Sequence, residues 1–352
     1  MKKYKSTFIK NIYYMLCYAF ASLDRKDFEN IATERFDDIH NLFAAILAKG
    51  ISSQIKHGLY KQYIDYSENV SIIRGKINMP ETIRNSVNRR TQIACDYDVM
   101  SENNIFNQIL KTTAKILLCS NDVNKEYKTE LKRCILYFSD IDEISPKAIP
   151  WGKIQFQRNN NSYRMLLGIC QLILDGMLLT DDEGNQRLAS FIDNQQTHRL
   201  YEKFILEYYR KKYPQLHPSP SQIKWVLDDG ERALLPTMQS DIMLSQGNNV
   251  LIIDAKFYAH ITQKKYEVNS LRSGHIFQIF AYVKNKDAEF KGRDHAVSGI
   301  LLYAATEEGV QPDVSYVMSG NRISAKTLDL NCEFKQISKK LNRIIEETFN
   351  IS

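Results

Sequence analysis

Four consecutive apolar residues, Val250-Leu-Ile-Ile253, run directly into Asp254 and, two positions on, Lys256. An unbroken apolar run of this length reads as a strand buried on both faces. A carboxylate and an ammonium at its end are costly there unless they have partners or a task. A second apolar run, Ile242-Met-Leu244, precedes it across Ser245-Gln-Gly-Asn-Asn249. Gly-Asn between two such runs is a short hairpin signal. With Gly247 and Asn248 at the turn centre, position 241 pairs with position 254, and both are aspartate. Alternation of side chains places Asp254 and Lys256 on one face.

Facing carboxylates repel, and a sheet penalises like charges placed opposite each other. A bound cation removes that penalty. Mg²⁺ is held by one or two carboxylates, with water and phosphate completing its shell. Such an ion polarises a phosphodiester and lowers the pKa of bound water, and a nearby ammonium stabilises phosphate charge. The trio Asp241, Asp254 and Lys256 therefore fits metal-dependent phosphodiester hydrolysis. The bland alternative is an exposed strand with alternating charges, which the buried apolar run disfavours.

The flanking segments give an order of helix, three strands, helix, strand. Residues 199–210 place Tyr201, Phe204, Ile205 and Tyr208 at helical spacing, and Pro214 ends the helix. Residues 222–227 read as a first strand, the hairpin supplies two more, and 259–274 reads as a polar, basic loop. Residues 275–283 read as a helix with Ile276, Ile279, Phe280 and Val283 as core face and His275, Gln278 and Tyr282 as a polar stripe. Residues 297–303 read as a further strand. His275 is taken as structural.

This order, with Asp241, then Asp254-x-Lys256, then a helix bearing Gln278 and Tyr282, resembles the PD-(D/E)xK nuclease superfamily. With Ile9-Lys-Asn-Ile-Tyr-Tyr-Met-Leu16, Ile73-Arg-Gly-Lys-Ile77, Leu234-Leu-Pro-Thr-Met-Gln-Ser-Asp241 and Ile253-Asp-Ala-Lys-Phe-Tyr258, the chain resembles the McrC family over nearly its whole length. The resemblance implies an endonuclease subunit of a modification-dependent, 5-methylcytosine-specific restriction system. Asp241 and Asp254 would be the Mg²⁺ ligands and Lys256 the catalytic lysine. Ser240 stands where the superfamily name has proline. Glu202 is either a further acid of the site or part of a solvated helix face, with Glu207 as a competing choice. Gln278 and Tyr282 either support the site, touch nucleic acid, or pack the helix on the hairpin. The implied partners are a hexameric McrB-like AAA+ GTPase, which binds the GTP, and double-stranded DNA carrying modified bases.

The expected fold is mixed α/β, of α+β type. A mostly helical N-terminal domain with a small β part (1–190) precedes a nuclease domain with an α-βββ-α-β core (191–352). Length and a 43% hydrophobic content suit two packed domains. The net charge of +6 is compatible with DNA without requiring it. Six scattered cysteines form no Cys-x-x-Cys pair, which disfavours zinc and a disulfide framework and suits a cytoplasmic protein. No secretory signal is visible, and the apolar stretch 165–179 is too short to span a bilayer and reads as a buried helix.

In the N-terminal half, residues 11–19, 43–48 (ending at Gly50), 103–118 and 163–174 read as helices. Residues 70–77 read as strand with a turn at Gly75, and 84–90 as an exposed basic loop. No Walker-type phosphate loop is present. The resemblance assigns this half to binding the AAA+ ring and stimulating its GTPase. Arg74 and Lys76 could present a cation to the partner or to DNA, or be surface charges. The polar break at 181–185 places the domain boundary near 190. Two other readings stay open: a non-enzymatic adaptor that activates the NTPase and binds DNA through a nuclease-like fold, and a stand-alone nuclease.

Overall fold

The computed structural model describes residues 6–20, 36, 38–178, 195–230, 233–257, 262–265, 268–305 and 311–351. Contacts divide the chain into two units, Met1–Leu42 with Asp175–Ser352, and Phe43–Leu174. The expected division at 190 is therefore corrected. Helix α1 (Ser6–Ala19) belongs with the C-terminal half, and the second unit is an insertion within the first. The polar break at 181–185 lies outside the described residues.

The inserted unit carries most of helix α2 (Ile39–His57), a sheet of β1 (Gln62–Val70), β2 (Lys76–Ile77), helix α3 (Met79–Val87) and β3 (Ile93–Ser101), then α4 (Ile105–Cys119), α5 (Lys125–Ile135) and α6 (Arg164–Leu178). The strands are antiparallel in the order β1-β3-β2. Gly75 has φ +65°, and a Cβ there would lie 2.5 Å from the Asp96 carbonyl, so the expected turn requires glycine. Residues 84–90 are corrected from loop to helix as far as Val87. Asn78 caps α3 by accepting from the Glu81 amide, and Pro80 occupies its first turn. Gly50 does not end α2: it lies inside the helix, where a Cβ would meet Leu166 Cδ2 at 2.2 Å. Close helix approach rather than helix termination explains that glycine. The apolar stretch from 165 forms the buried side of α6, with Met165, Leu166, Ile169 and Cys170 all buried.

The other unit continues with α7 (Gln195–Lys212), β4 (Gln222–Ile223), β5 (Met238–Gln239), β6 (Ile242–Gln246), β7 (Asn249–Lys256), β8 (Thr262–Lys265), β9 (Val268–Leu271), α8 (Ser273–Ala288), β10 (Ala296–Ala304), β11 (Asp313–Met318), β12 (Asn321–Leu328) and α9 (Phe334–Phe349). Its five-stranded sheet has the order β11-β12-β10-β7-β6. The β7–β10 and β10–β12 pairs are parallel, and the two outer pairs are antiparallel. This is a mixed α/β architecture. Val250 to Ile253 are all buried, as an apolar run in a central strand requires. One sheet face packs against α8 through Ile252, Leu301, Ile323, Ile279 and Val283. Gly299 belongs to this contact: a Cβ would lie 2.6 Å from Val283 Cγ2.

Helix α1 joins this unit through its own core face. Ile12, Met15 and Leu16 are fully buried, Tyr18 packs on Phe204 and Tyr208, and Tyr14 stacks on Phe334. The Asn11 amide donates to the Leu330 and Cys332 carbonyls at 2.8 and 2.7 Å. Two expectations in the C-terminal half are corrected. The strand expected over 222–227 is only β4, which pairs with β5 outside the main sheet. Beyond it the Val226 amide donates to Asn285 Oδ1 and the Trp225 indole to the Pro236 carbonyl, so side-chain partners replace a ladder. The polar loop expected over 259–274 contains the β8–β9 ladder. Among the described residues, no helix is long and apolar enough to cross a membrane.

Candidate active site

Gly247 and Asn248 form the β6–β7 turn, with φ +59° at Gly247, the primed geometry that matches strand twist. The ladder runs Gln246↔Asn249 to Ile242↔Ile253, so Asp241, one step beyond, faces Asp254 in the predicted register. Asp241 Oδ2 accepts the Ala255 amide at 2.8 Å, which locks its carboxyl across the strand end. Ser240 is fully buried, and its amide donates to the Ser221 carbonyl at 3.0 Å. A proline there has no N–H to give, which accounts for serine at this position.

Asp254 is 1% exposed. Its Oδ2 lies 2.8 Å from Lys256 Nζ, an ion-pair distance, yet that buried oxygen has no hydrogen-bond donor in good geometry. Lys256 Nζ also donates to Gln278 Oε1 at 3.1 Å. The Gln278 amide in turn donates from Nε2 to the Tyr282 hydroxyl at 2.9 Å. The polar stripe of α8 is therefore turned toward the end of β7. Tyr303 on β10 stands in register beside Lys256, and its hydroxyl lies 3.0 Å from His275 Nδ1.

Glu202 comes in on α7. The Tyr201 and His198 rings pack on Phe257, the residue after Lys256, and so bring the helix to this edge. Burial is the main cause that raises the Glu202 carboxyl above its ordinary range. Lys256 opposes this, Asp254 adds to it, and Arg199 opposes it. Glu202 thus shares the field of the acidic pair.

The electrostatics match an acidic site short of positive charge. The Asp241 carboxyl is pushed up to about 8, first by burial, then by Asp254 and Glu202, with the Ala255 amide and Lys256 opposing. Asp254 is also raised by burial, against the pull of Lys256 and of its bond with Asp241. Burial, then the Lys256 and Arg272 cations, push the His275 imidazole down to about 4. Among the described residues no three His, Cys, Asp or Glu side chains are gathered as a ready cage. The donor set is instead two carboxylates with a third nearby, one of them with a buried oxygen that accepts no hydrogen bond. That set fits an ion that keeps part of its water shell.

Arg74 and Lys76 lie in the inserted unit. The Arg74 guanidinium sits over the Tyr97 ring at 4.3 Å, and Lys76 pairs with Asp96 in the β2–β3 register. Both are exposed. The sequence reading passed over Tyr303 and left His275 as structural. The available signal was Tyr303 near the end of an apolar strand, with His275 one helical turn before Gln278.

The sequence model of the family described as McrBC 5-methylcytosine restriction system component matches residues 4–304. The type IV methyl-directed restriction enzyme EcoKMcrBC of Escherichia coli (strain K12) is 24% identical over 343 residues, covering 96% of this chain and 97% of that protein. The refined half-complex from a tetradecameric assembly of Thermococcus gammatolerans McrB AAA+ hexamers with bound McrC contains a chain with the same fold. The TM-score is 0.54 at 16% identity, over 96% of this chain and 75% of that one. With a family match spanning most of its length, this chain belongs to the McrBC 5-methylcytosine restriction system component family, as a member of the McrC type.

Proposed function

We propose that this chain is the DNA-cleaving subunit of a GTP-dependent, modification-dependent restriction complex and that its centre is of the PD-(D/E)xK kind. The observation that carries the reading is the buried Asp254 facing the half-buried Asp241, with the Lys256 ammonium 2.8 Å from Asp254, on a hairpin followed by α8 and parallel β10. Two raised carboxyls facing each other leave the folded chain short of one positive charge there. Asp241 and Asp254 would hold Mg²⁺, with Glu202 the nearby further acid. When bound, the ion supplies polarisation of the phosphodiester and acidification of a water.

The chain's own residues do the rest. Asp241 Oδ2 is occupied by the Ala255 amide, which leaves Oδ1 to face an ion, and the raised carboxyl gives up its proton when both carboxylates serve as ligands. Asp254 and Gln278 hold the Lys256 ammonium at the strand end, where it orients water and stabilises charge on the phosphate. The Gln278 amide is kept in the accepting orientation because its other end is bonded to Tyr282.

The partner in this reading is a McrB-like AAA+ GTPase hexamer, which binds the GTP, and the substrate is double-stranded DNA with modified cytosine. Support comes from the family description, the methyl-directed E. coli relative, and the fold shared with a chain of the McrB–McrC assembly. Engaging that ring and raising its GTPase falls to the inserted unit. That unit exposes Tyr63, Ile72, Ile73, Met79, Ile83 and Val87, more apolar surface than solvent alone explains.

The test combines the purified chain, its AAA+ partner, GTP and methylated DNA, with and without Mg²⁺. Strand scission should require every component. Asp254→Ala and Lys256→Ala should abolish scission while raising the partner's GTPase as the wild type does. Raised GTPase with no scission of any modified DNA by the wild type would leave the adaptor reading in its place.

A further inference from the structure

We propose that His275 is a positioning residue of this centre, acting through Tyr303 to hold the first turn of α8 where Gln278 meets the Lys256 ammonium. The inference rests on the hydrolase reading above and names a residue which that reading does not use.

The argument begins with register. Tyr303 pairs with Lys256 across the parallel β7–β10 ladder, and paired residues of neighbouring strands point to the same side of the sheet. Tyr303 is fully buried, so its hydroxyl is a fixed point. That hydroxyl lies 3.0 Å from His275 Nδ1, and the two rings are 5.8 Å apart between centroids. His275 is in the opening turn of α8, and Gln278 is three residues on, on the same side of the helix.

The opening turn needs an anchor. Its cap residue, Arg272, makes no side-chain capping bond, and Gly274 sits within the turn. A helix start with uncapped amides and a glycine frays readily. Fraying of that turn would free the stretch leading into Gln278 and loosen its side-chain carbonyl, which accepts from Lys256 Nζ. The His275–Tyr303 bond ties this turn to a buried strand that is paired on both sides. Because the imidazole stays neutral well below pH 7, it brings no second positive charge beside Lys256. The chain from Tyr303 to His275, Gln278 and Lys256 is thus a mechanical brace. Tyr282 fixes the far end of the Gln278 amide.

The test uses the full chain with its GTPase partner and four variants: His275→Ala, His275→Asn, Tyr303→Phe and Gln278→Ala. The Asn amide offers both an acceptor and a donor at the place of Nδ1, and Tyr303→Phe keeps the buried ring. Under saturating DNA, His275→Ala and Tyr303→Phe should each slow cleavage about tenfold, the upper scale of one hydrogen bond between neutral groups. KM for DNA should stay within about twofold, as expected when an interaction outside DNA binding is lost. His275→Asn should restore most of the rate. The His275→Ala/Gln278→Ala double variant should be no slower than Gln278→Ala alone, since both changes release the same contact. A second readout needs no cleavage. Acylation of Lys256 in the metal-free chain, mapped by mass spectrometry, should rise about threefold in His275→Ala and fall back in His275→Asn, as release of a held side chain raises its access. Unchanged Lys256 labelling, or multiplying losses in the double variant, would overturn the proposal. Absence of wild-type scission would instead defeat the hydrolase reading, while the labelling arm would still decide the brace.

Discussion

Asp241→Asn should make the protein more stable at pH 8–9 while removing its chemistry. Asp241 is raised from 3.8 to about 8 because burial and the neighbouring Asp254 and Glu202 oppose its charge. A carboxyl raised in the folded state binds its proton more tightly there than in the unfolded chain. The contribution of this group to folding stability is therefore greatest below 3.8, falls as pH rises toward about 8, and is flat beyond it. The gap between these values corresponds to ~6 kcal/mol at most. Water at the strand end and the sharing of charge across the dyad reduce the realised penalty to about 2 kcal/mol. Asparagine keeps an oxygen for the Ala255 amide, is nearly the same size and carries no charge, so it avoids the penalty without leaving a cavity. A gain of about 2 kcal/mol corresponds to roughly 5 °C in melting temperature for a unit of this size. The assay is a set of thermal melts of wild type and variant from pH 4 to pH 9 without divalent ions, repeated with Mg²⁺. The difference should be near zero at pH 4 and largest above pH 8. Mg²⁺ should stabilise the wild type by up to about 2.7 kcal/mol at a hundredfold excess over its dissociation constant, and the variant by much less. A gain that is equal at pH 4 and pH 9, or a variant less stable at pH 9, would refute the electrostatic account.

Three further outcomes follow from packing and charge elsewhere. Gly50→Ala should lower the stability of the inserted unit by about 1–3 kcal/mol, because its Cβ meets Leu166 Cδ2 at 2.2 Å; a melt of the isolated variant against wild type checks it. Gly75→Ala should be worse than Gly247→Ala: both have positive φ, but only Gly75 faces a backbone atom, the Asp96 carbonyl at 2.5 Å, and denaturant midpoints should rank them so. The His295 imidazole is raised by its bond to the Arg293 carbonyl and by Asp287, which also accepts from Asn321 and Lys284. Its stabilisation is complete below the unfolded value and lost as pH rises through the folded one, so His295→Gln should cost more at pH 5 than at pH 9 in paired melts.

The acidic hairpin was legible because three rules agreed on it. Apolar runs set the strands, Gly247 set the turn, and the register followed by counting to Asp241 and Asp254. The α8 stripe was legible for the same reason, since helical spacing alone puts His275, Gln278 and Tyr282 on one side. What spacing could not supply was the partner of each group. That Gln278 accepts from Lys256, and Tyr303 meets His275, depends on parallel pairing between residues 47 apart, such as Lys256 and Tyr303. Glu202 was ambiguous because helix spacing does not say what its carboxyl faces; the packing of Tyr201 on Phe257 is what sets it near Lys256 and Asp254. The short β4 was misjudged because Trp225 and Asn285 take over bonds that a strand pattern assigns to a ladder. Strands β11 and β12 and helix α9 were not assigned at all, although Ile337, Leu341, Ile344 and Ile345 carry a plain helical rhythm. Helix α1 was recognised as a helix but placed in the wrong unit, since nothing local reveals a partner at the opposite end of the chain.

That last placement has a consequence for biogenesis. The Asn11 amide is satisfied by a carbonyl 319 residues downstream. At a synthesis rate of roughly 5–20 residues per second, Asn11 waits some tens of seconds on the ribosome before that carbonyl exists. The apolar stripe of α1 stays bare until α7 supplies Phe204 and Tyr208, while the inserted unit, whose contacts are local in sequence, is free to fold. The Asn11 contacts with the segment after β12 therefore close only after the acidic hairpin, α8 and β10 have all been made.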